Sequence, residues 1–129
     1  MGLDASHDCW HGPYSAFMRW RSWLHTAIQR ERAGAAPDLG LDDYRRAIEG
    51  GGPWPYPNES DPLDFFMSHS DCDGEIPAAM CGPIADALQA LLDKHAPARA
   101  LYDTMRPATE RFIAGLRKAA AAGEAVEFG

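Results

Sequence analysis

A chain of 129 residues with a formal net charge of −7 has the size of one domain, 1–129, and is long enough to bury a core without disulfide staples. Its 46% apolar and 24% charged residues are ordinary for a globular chain; no apolar run reaches the roughly 18 to 20 residues of a membrane span, and Met1-Gly2-Leu3-Asp4 does not open a signal peptide. The Lys and Arg residues form no basic stripe, which argues against nucleic acid as a partner, and three cysteines make no disulfide framework, so a reduced, cytoplasmic chain is expected.

Residues 2–6 are short enough to be a strand, and residues 6–13 read as a polar loop stopped by Gly12-Pro13. From Tyr14 the period becomes helical. Tyr14, Phe17, Trp20 or Arg21, Leu24 and Ile28 fall on one stripe, widened by Trp23 and Ala27, which predicts a helix over 14–33 ended by Gly34. The arginines of this helix are expected on its solvated face. A Gly/Ala/Pro connector leads to a short helix capped by Asp42 or Asp43 and closed at Gly50. Residues 53–62 hold four prolines and cannot be helical, so they form either a lid or a loop tacked to the core by Trp54 and Tyr56.

Asp61-Pro62 opens a short helix through Met67. Pro77 to Met80 fits one helical turn, and Pro83 fits the first turn of a helix carrying Ile84, Leu88, Leu91 and Leu92. A final helix spans about 98–122, kinked or split by Pro107 and stopped by Gly123. Ala125 to Phe128 can be a strand. The fold class expected is therefore mainly α: a small single-domain bundle of about five or six helices, with a short two-stranded pairing of the N- and C-termini.

The densest chemistry lies in Ser68-His69-Ser70-Asp71-Cys72-Asp73-Gly74-Glu75-Ile76. Asp71, Asp73, Gly74 and Ile76 match the middle of a calcium loop, with oxygen ligands at alternate positions and a glycine at the turn. In that register His69 occupies the first ligand position and Met80 the twelfth, where a bidentate carboxylate is needed, so calcium is a poor fit. An echo exists near the N-terminus, where Ser6-His7-Asp8-Cys9 and His11 repeat the imidazole, carboxylate and thiol. If the two loops meet, His7, Asp8, His11, His69, Asp71, Cys72, Asp73 and Glu75 are the candidate ligands of a divalent metal, zinc before calcium, or of a small molecule. Three ligands and an open position would permit metal-activated water. Without metal, His69 could move a proton, and Cys9 or Cys72 beside a histidine could be a nucleophile, although the neighbouring acids oppose a thiolate.

A purely architectural reading competes with these. Ser and Asp side chains shape turns by bonding their own backbone, and buried cysteines are commonly small apolar residues.

Met1-Gly-Leu-Asp-x-Ser-His-Asp-Cys-Trp, the following Gly-Pro-Tyr-Ser-Ala-Phe-x-Arg-Trp-Arg, the block His69-Ser-Asp-Cys-Asp-Gly-Glu-Ile and the C-terminal Glu124-Ala-Val-Glu-Phe together resemble an uncharacterised set of small phage and actinobacterial proteins. That set typically carries Ser-Pro-Glu-Asp-Cys after the isoleucine, where this chain has Pro77-Ala-Ala-Met-Cys. The resemblance implies a phage or prophage accessory protein in the bacterial cytoplasm and assigns no catalytic residue. The expected function is binding of a host or phage protein, with Trp10, Trp54 and Tyr56 as candidate contact residues. The alternative is a metal- or small-ligand-binding protein or hydrolase built from the 6–12 and 69–75 loops.

Overall fold

A computed structural model of the chain describes residues 2–33, 58, 60–69, 74–94 and 99–129. In chain order the elements are β1 (Gly2–Ala5), β2 (Trp10–Pro13), α1 (Tyr14–Ala33), α2 (Pro62–Ser68), β3 (Glu75–Ile76), α3 (Ala78–Lys94), α4 (Arg99–Ala122) and β4 (Val126–Glu127). The fold is mainly helical, with four helices among the described residues and two small antiparallel sheets. The helix expected after Asp42 lies outside the described residues. No described helix is long and apolar enough to cross a membrane.

The helices form where the apolar spacing says they should. Phe17, Trp20, Leu24, Ala27 and Ile28 of α1 are buried on one stripe; Cys81, Ile84, Ala85, Leu88, Leu91 and Leu92 do the same for α3, and Thr109, Phe112, Ile113, Leu116 and Ala119 for α4. α2 starts where Asp61 accepts bonds from the backbone N–H of Leu63 (3.0 Å) and Asp64 (3.1 Å), with Pro62 in the first turn. α4 ends on Gly123 at φ 68°, with Glu124 N–H donating to Ala119 O (2.9 Å) and Gly123 N–H to Ala120 O (3.1 Å). This paired closure satisfies the last carbonyls and needs the left-handed glycine.

Two prolines behave differently from expectation. Pro83 does not start a helix: α3 begins at Ala78, and Pro83 sits inside it. The missing N–H frees the Ala79 carbonyl, but both residues are exposed and water can take its place. Pro107, also exposed, does not divide α4, which runs unbroken from Arg99 to Ala122.

Arg21 is the second correction, because it is 3% exposed rather than on a solvated face. Its Nη2 donates to Phe66 O and to His69 O (2.8 Å), and the guanidinium lies 5.1 Å from the ring centroids of Phe17 and Phe66. A cation at the C-terminal end of α2 meets the carbonyls that the helix leaves over, and two aromatic faces shelter it.

The strands also depart from expectation. β1 pairs with its neighbour β2, Asp4 opposite His11 and Ala5 opposite Trp10, while β4 pairs with β3, Glu127 opposite Glu75 and Val126 opposite Ile76. Among the described residues, the chain ends form no ladder with each other. A tight turn brings β2 to β1 at a far lower closure cost than β4, some hundred residues away. The ends touch through one bridge, Ala5 opposite Phe128, flanked by Ser6 N–H to Glu127 O (2.9 Å) and Gly129 N–H to Asp4 O (3.0 Å). The two sheets therefore lie edge to edge in the order β2, β1, β4, β3. Leu3, Ala5, Trp10, Ile76, Val126 and Phe128 face the core, while Asp4, His11, Glu75 and Glu127 are exposed.

Replacing Arg21 by Leu keeps bulk but strips the donors from the end of α2. The expected loss is about 2–4 kcal/mol of unfolding free energy in urea titrations, the range for charge-assisted bonds lost at a buried site.

Candidate functional site

The N-terminal echo Ser6-His7-Asp8-Cys9 is the turn of a β-hairpin. Cys9 N–H donates to Ser6 O (3.2 Å), and the two central residues have positive φ, 60° at His7 and 59° at Asp8. That is the pattern of a type I′ turn, whose twist suits a hairpin. Asn-Gly normally fills it; two L-residues there cost roughly 1–2 kcal/mol each. The surroundings must hold this turn in place, and they do so from three sides.

From below, Cys9 packs against α4 at Gly115. A β-carbon at Gly115 would sit 2.4 Å from Cys9 Sγ and 2.8 Å from His7 O, so only glycine admits the turn. Cys9 is fully buried, and its S–H points at Phe112 O (3.9 Å). Burial, with smaller contributions from Cys81 and Asp8, pushes its thiol up to about 12. Cys9 thus packs in the core, where burial favours the thiol over the thiolate that a nucleophile needs. Burial also raises the Cys81 thiol, whose S–H lies 3.4 Å from Pro77 O.

From the side, Ser6 Oγ accepts a bond from Glu127 N–H (2.9 Å) and lies 2.8 Å from His7 Nδ1, while His7 Nε2 lies 3.1 Å from Glu124 Oε1. The three contacts are mutually compatible: the serine oxygen accepts from Glu127 N–H and pairs with Nδ1, and Nε2–H donates to the carboxylate.

From above, His11 reaches Asp4 Oδ1 through Nδ1 (2.9 Å) and Asp8 Oδ1 through Nε2 (3.1 Å). The bonds to Asp4 and then Asp8 raise its pKa from the ordinary 6.5. The bond to His11, followed by the charge of Lys118, lowers that of Asp8.

The central block is described in part. His69 follows α2; its N–H donates to Phe66 O (3.2 Å), its Nε2 to Glu75 O (2.9 Å), and its ring lies 4.8 Å from that of Phe128. Gly74 takes the left-handed φ of 85° that the turn requires. Glu75 is exposed on β3. Asp71, Cys72 and Asp73 lie outside the described residues, as do Trp54 and Tyr56. Trp10 was expected as a contact residue but is a core residue: it is 8% exposed, stacked 5.4 Å from Trp20 and edge-on to Phe17 at 5.1 Å.

The described parts of the two polar loops lie on either side of β4 and at its opposite ends: Glu124, before the strand, bonds His7, and Phe128, after it, donates its N–H to Gly74 O. Ser6 and His7 bond Glu127 and Glu124 on one side, while Glu75 pairs with Glu127 on the other. Ser6 and Glu75 are thus two strand spacings apart, roughly 9 to 10 Å between backbones. His7 bonds Glu124 and Ser6, whereas His69 bonds the Glu75 carbonyl. Among the described residues, no group of three or more His, Cys, Asp or Glu is placed to hold a metal ion.

Reading by spacing missed Asp4, Glu124, Glu127 and Gly115. Asp4 had a signal, since a hairpin centred on 7–8 pairs it with His11. The others are joined to the turn only by the tertiary fold. Comparison of the chain with protein-family models, curated proteins and solved structures returns no match.

Gly115→Ala should lower stability by about 1–3 kcal/mol through overpacking, although alanine favours the helix by about 1 kcal/mol. Urea unfolding measures it, and the amides of residues 6–9 should show the largest shifts in a two-dimensional NMR spectrum.

Proposed function

We propose that the chain is a small acidic binding protein that contacts a basic surface on a host or phage protein through the outer face of its strands. The observation that carries this reading is the cross-strand pair Glu75 and Glu127, two exposed carboxylates directly opposite each other. Like charges in that register destabilise a sheet, and among the described residues neither carboxylate has an ion-pair partner. Asp4 adds a third acid on the same face, with Asp8 and Glu124 at its rim. A cationic partner would relieve the repulsion and would be steered in by the net charge. The resemblance to small phage and actinobacterial proteins supports a bacterial cytoplasmic setting.

Glu127→Gln separates the two demands. It should stabilise the free protein by about 0.2–1 kcal/mol by removing the repulsion, yet weaken capture of a partner from bacterial lysate, with capture by the unaltered protein falling as salt rises. Equal capture by both proteins, or none by either, would overturn the reading.

A second reading rests on the echo of imidazole, carboxylate and thiol in the two loops. His7, Asp8, His11, His69, Asp71, Cys72, Asp73 and Glu75 would then serve one ligand or metal, with His7 and His69 exchanging their present bonds for it. Elemental analysis of protein purified without a histidine tag tests this: about one equivalent of zinc supports the reading, and a protein that takes up none from added zinc rules it out.

A further inference from the structure

The Asp4–His11–Asp8 contact has a property that neither carboxylate alone would give it. The two acids lie on opposite ring nitrogens, Asp4 at 2.9 Å from Nδ1 and Asp8 at 3.1 Å from Nε2. A neutral imidazole has one N–H, so one carboxylate would face a nitrogen lone pair. Only the imidazolium donates to both. All three side chains are exposed, so protons reach them freely.

The contact is also placed where it matters. Asp4 belongs to β1, His11 to β2, and Asp8 is one of the two left-handed residues of the turn between them. Asp8 lacks the depth of Cys9 and, among the described residues, its side chain has His11 as its bonding partner. We infer that His11 is a proton-operated latch on the hairpin: its imidazolium ties the strained Asp8 back to β1, and loss of that proton releases Asp8 from it.

Other charged groups set the limits of the latch. From α4, Lys118 and Arg111 act on Asp8 and favour its ionised form. Of the other titratable groups of the turn, the Cys9 thiol is buried and feels the Asp8 charge, and His7 is bonded to Ser6 and Glu124 and does not touch the latch. Glu127 of β4 lies beyond β1, beside Ser6. The signs follow from the directions of the shifts. The His11 contribution to stability is fully present below the ordinary value of 6.5 and is lost as pH rises through its raised folded value. The Asp8 contribution is present above 3.8 and lost as pH falls through its lowered value. The latch is closed between those limits and opens as pH rises through the raised His11 value, leaving Asp4 and Asp8 bare on the outer face.

The latch needs no partner, but its effect on binding rests on the reading above. A basic partner that uses Asp4 and Asp8 competes with His11, so its capture should strengthen as the latch opens.

Histidine-ring and backbone NMR titrations of the intact chain, with Asp8→Asn and His11→Gln, test the inference. His11 should titrate above the midpoint of free histidine, and the amides of Asp8 and Cys9 should shift at that same midpoint. Asp8→Asn should move the His11 midpoint down, and His11→Gln should abolish the amide transition while the remaining spectrum stays folded. A His11 midpoint at or below that of free histidine, or an amide transition that survives His11→Gln, overturns the latch. If the latch titrates as expected but partner capture ignores pH across its midpoint, the link to binding fails and the latch stands.

Discussion

The indole of Trp20 sets the spacing of everything else. It is fully buried, with ring centroids of Phe112 at 4.9 Å, Trp10 at 5.4 Å, Phe17 at 5.6 Å and Phe66 at 5.8 Å. Those rings come from α4, β2, α1 and α2, so one side chain meets four elements. A buried tryptophan removes about 150–250 Å² from water, worth about 4–6 kcal/mol at roughly 25 cal/mol per Å². That gain would be cut by about 1–3 kcal/mol if the indole N–H had no acceptor. Thr109 provides one, accepting from Trp20 Nε1 at 2.8 Å while its own hydroxyl donates to Met105 O at 2.7 Å. The threonine thus fixes which turn of α4 lies against α1.

The strand layer inherits its position from this hub. Trp10 carries the hairpin onto Trp20, and Phe128 carries β4 onto Phe17, with ring centroids 6.1 Å apart. With the inner residues anchored, strand alternation leaves Asp4, His11, Glu75 and Glu127 outside. Gly115 then decides how low the hairpin turn can sit on α4. The outer face is therefore a by-product of aromatic packing beneath it, and its charges are free to serve something other than stability.

The helices were legible because burial repeats with the helical period. The stripe from Phe17 to Ile28, the Asp61-Pro62 start and the Gly123 stop are local signals with local causes. The hairpin was not legible, because His7-Asp8 stands where Asn-Gly would have announced the turn. Neither was the burial of Arg21, whose partners Phe66 and His69 are reached only after some forty-five residues of chain. Pro83 read as a helix start because sequence alone does not reveal that the carbonyl it displaces faces water. Of the candidate site, His7, Asp8 and His11 were found by composition, but their partners Glu124 and Asp4 came from the fold. Asp71, Cys72, Asp73, Trp54 and Tyr56 lie outside the described residues, where the sequence reading stands as an expectation.

The edge-to-edge join of the two sheets has a kinetic side. Helix α1 and the β1–β2 hairpin are local and can form early, but the bridge from Ala5 to Phe128 closes a loop of nearly the whole chain. Contacts of that separation are slow to gain, because the closure entropy is met before any compensating bond exists. β4 also supplies one of the two inner strands of the layer. A nascent or partly unfolded molecule can therefore own every helix and still lack the charged outer surface, which makes that surface a report that folding has finished.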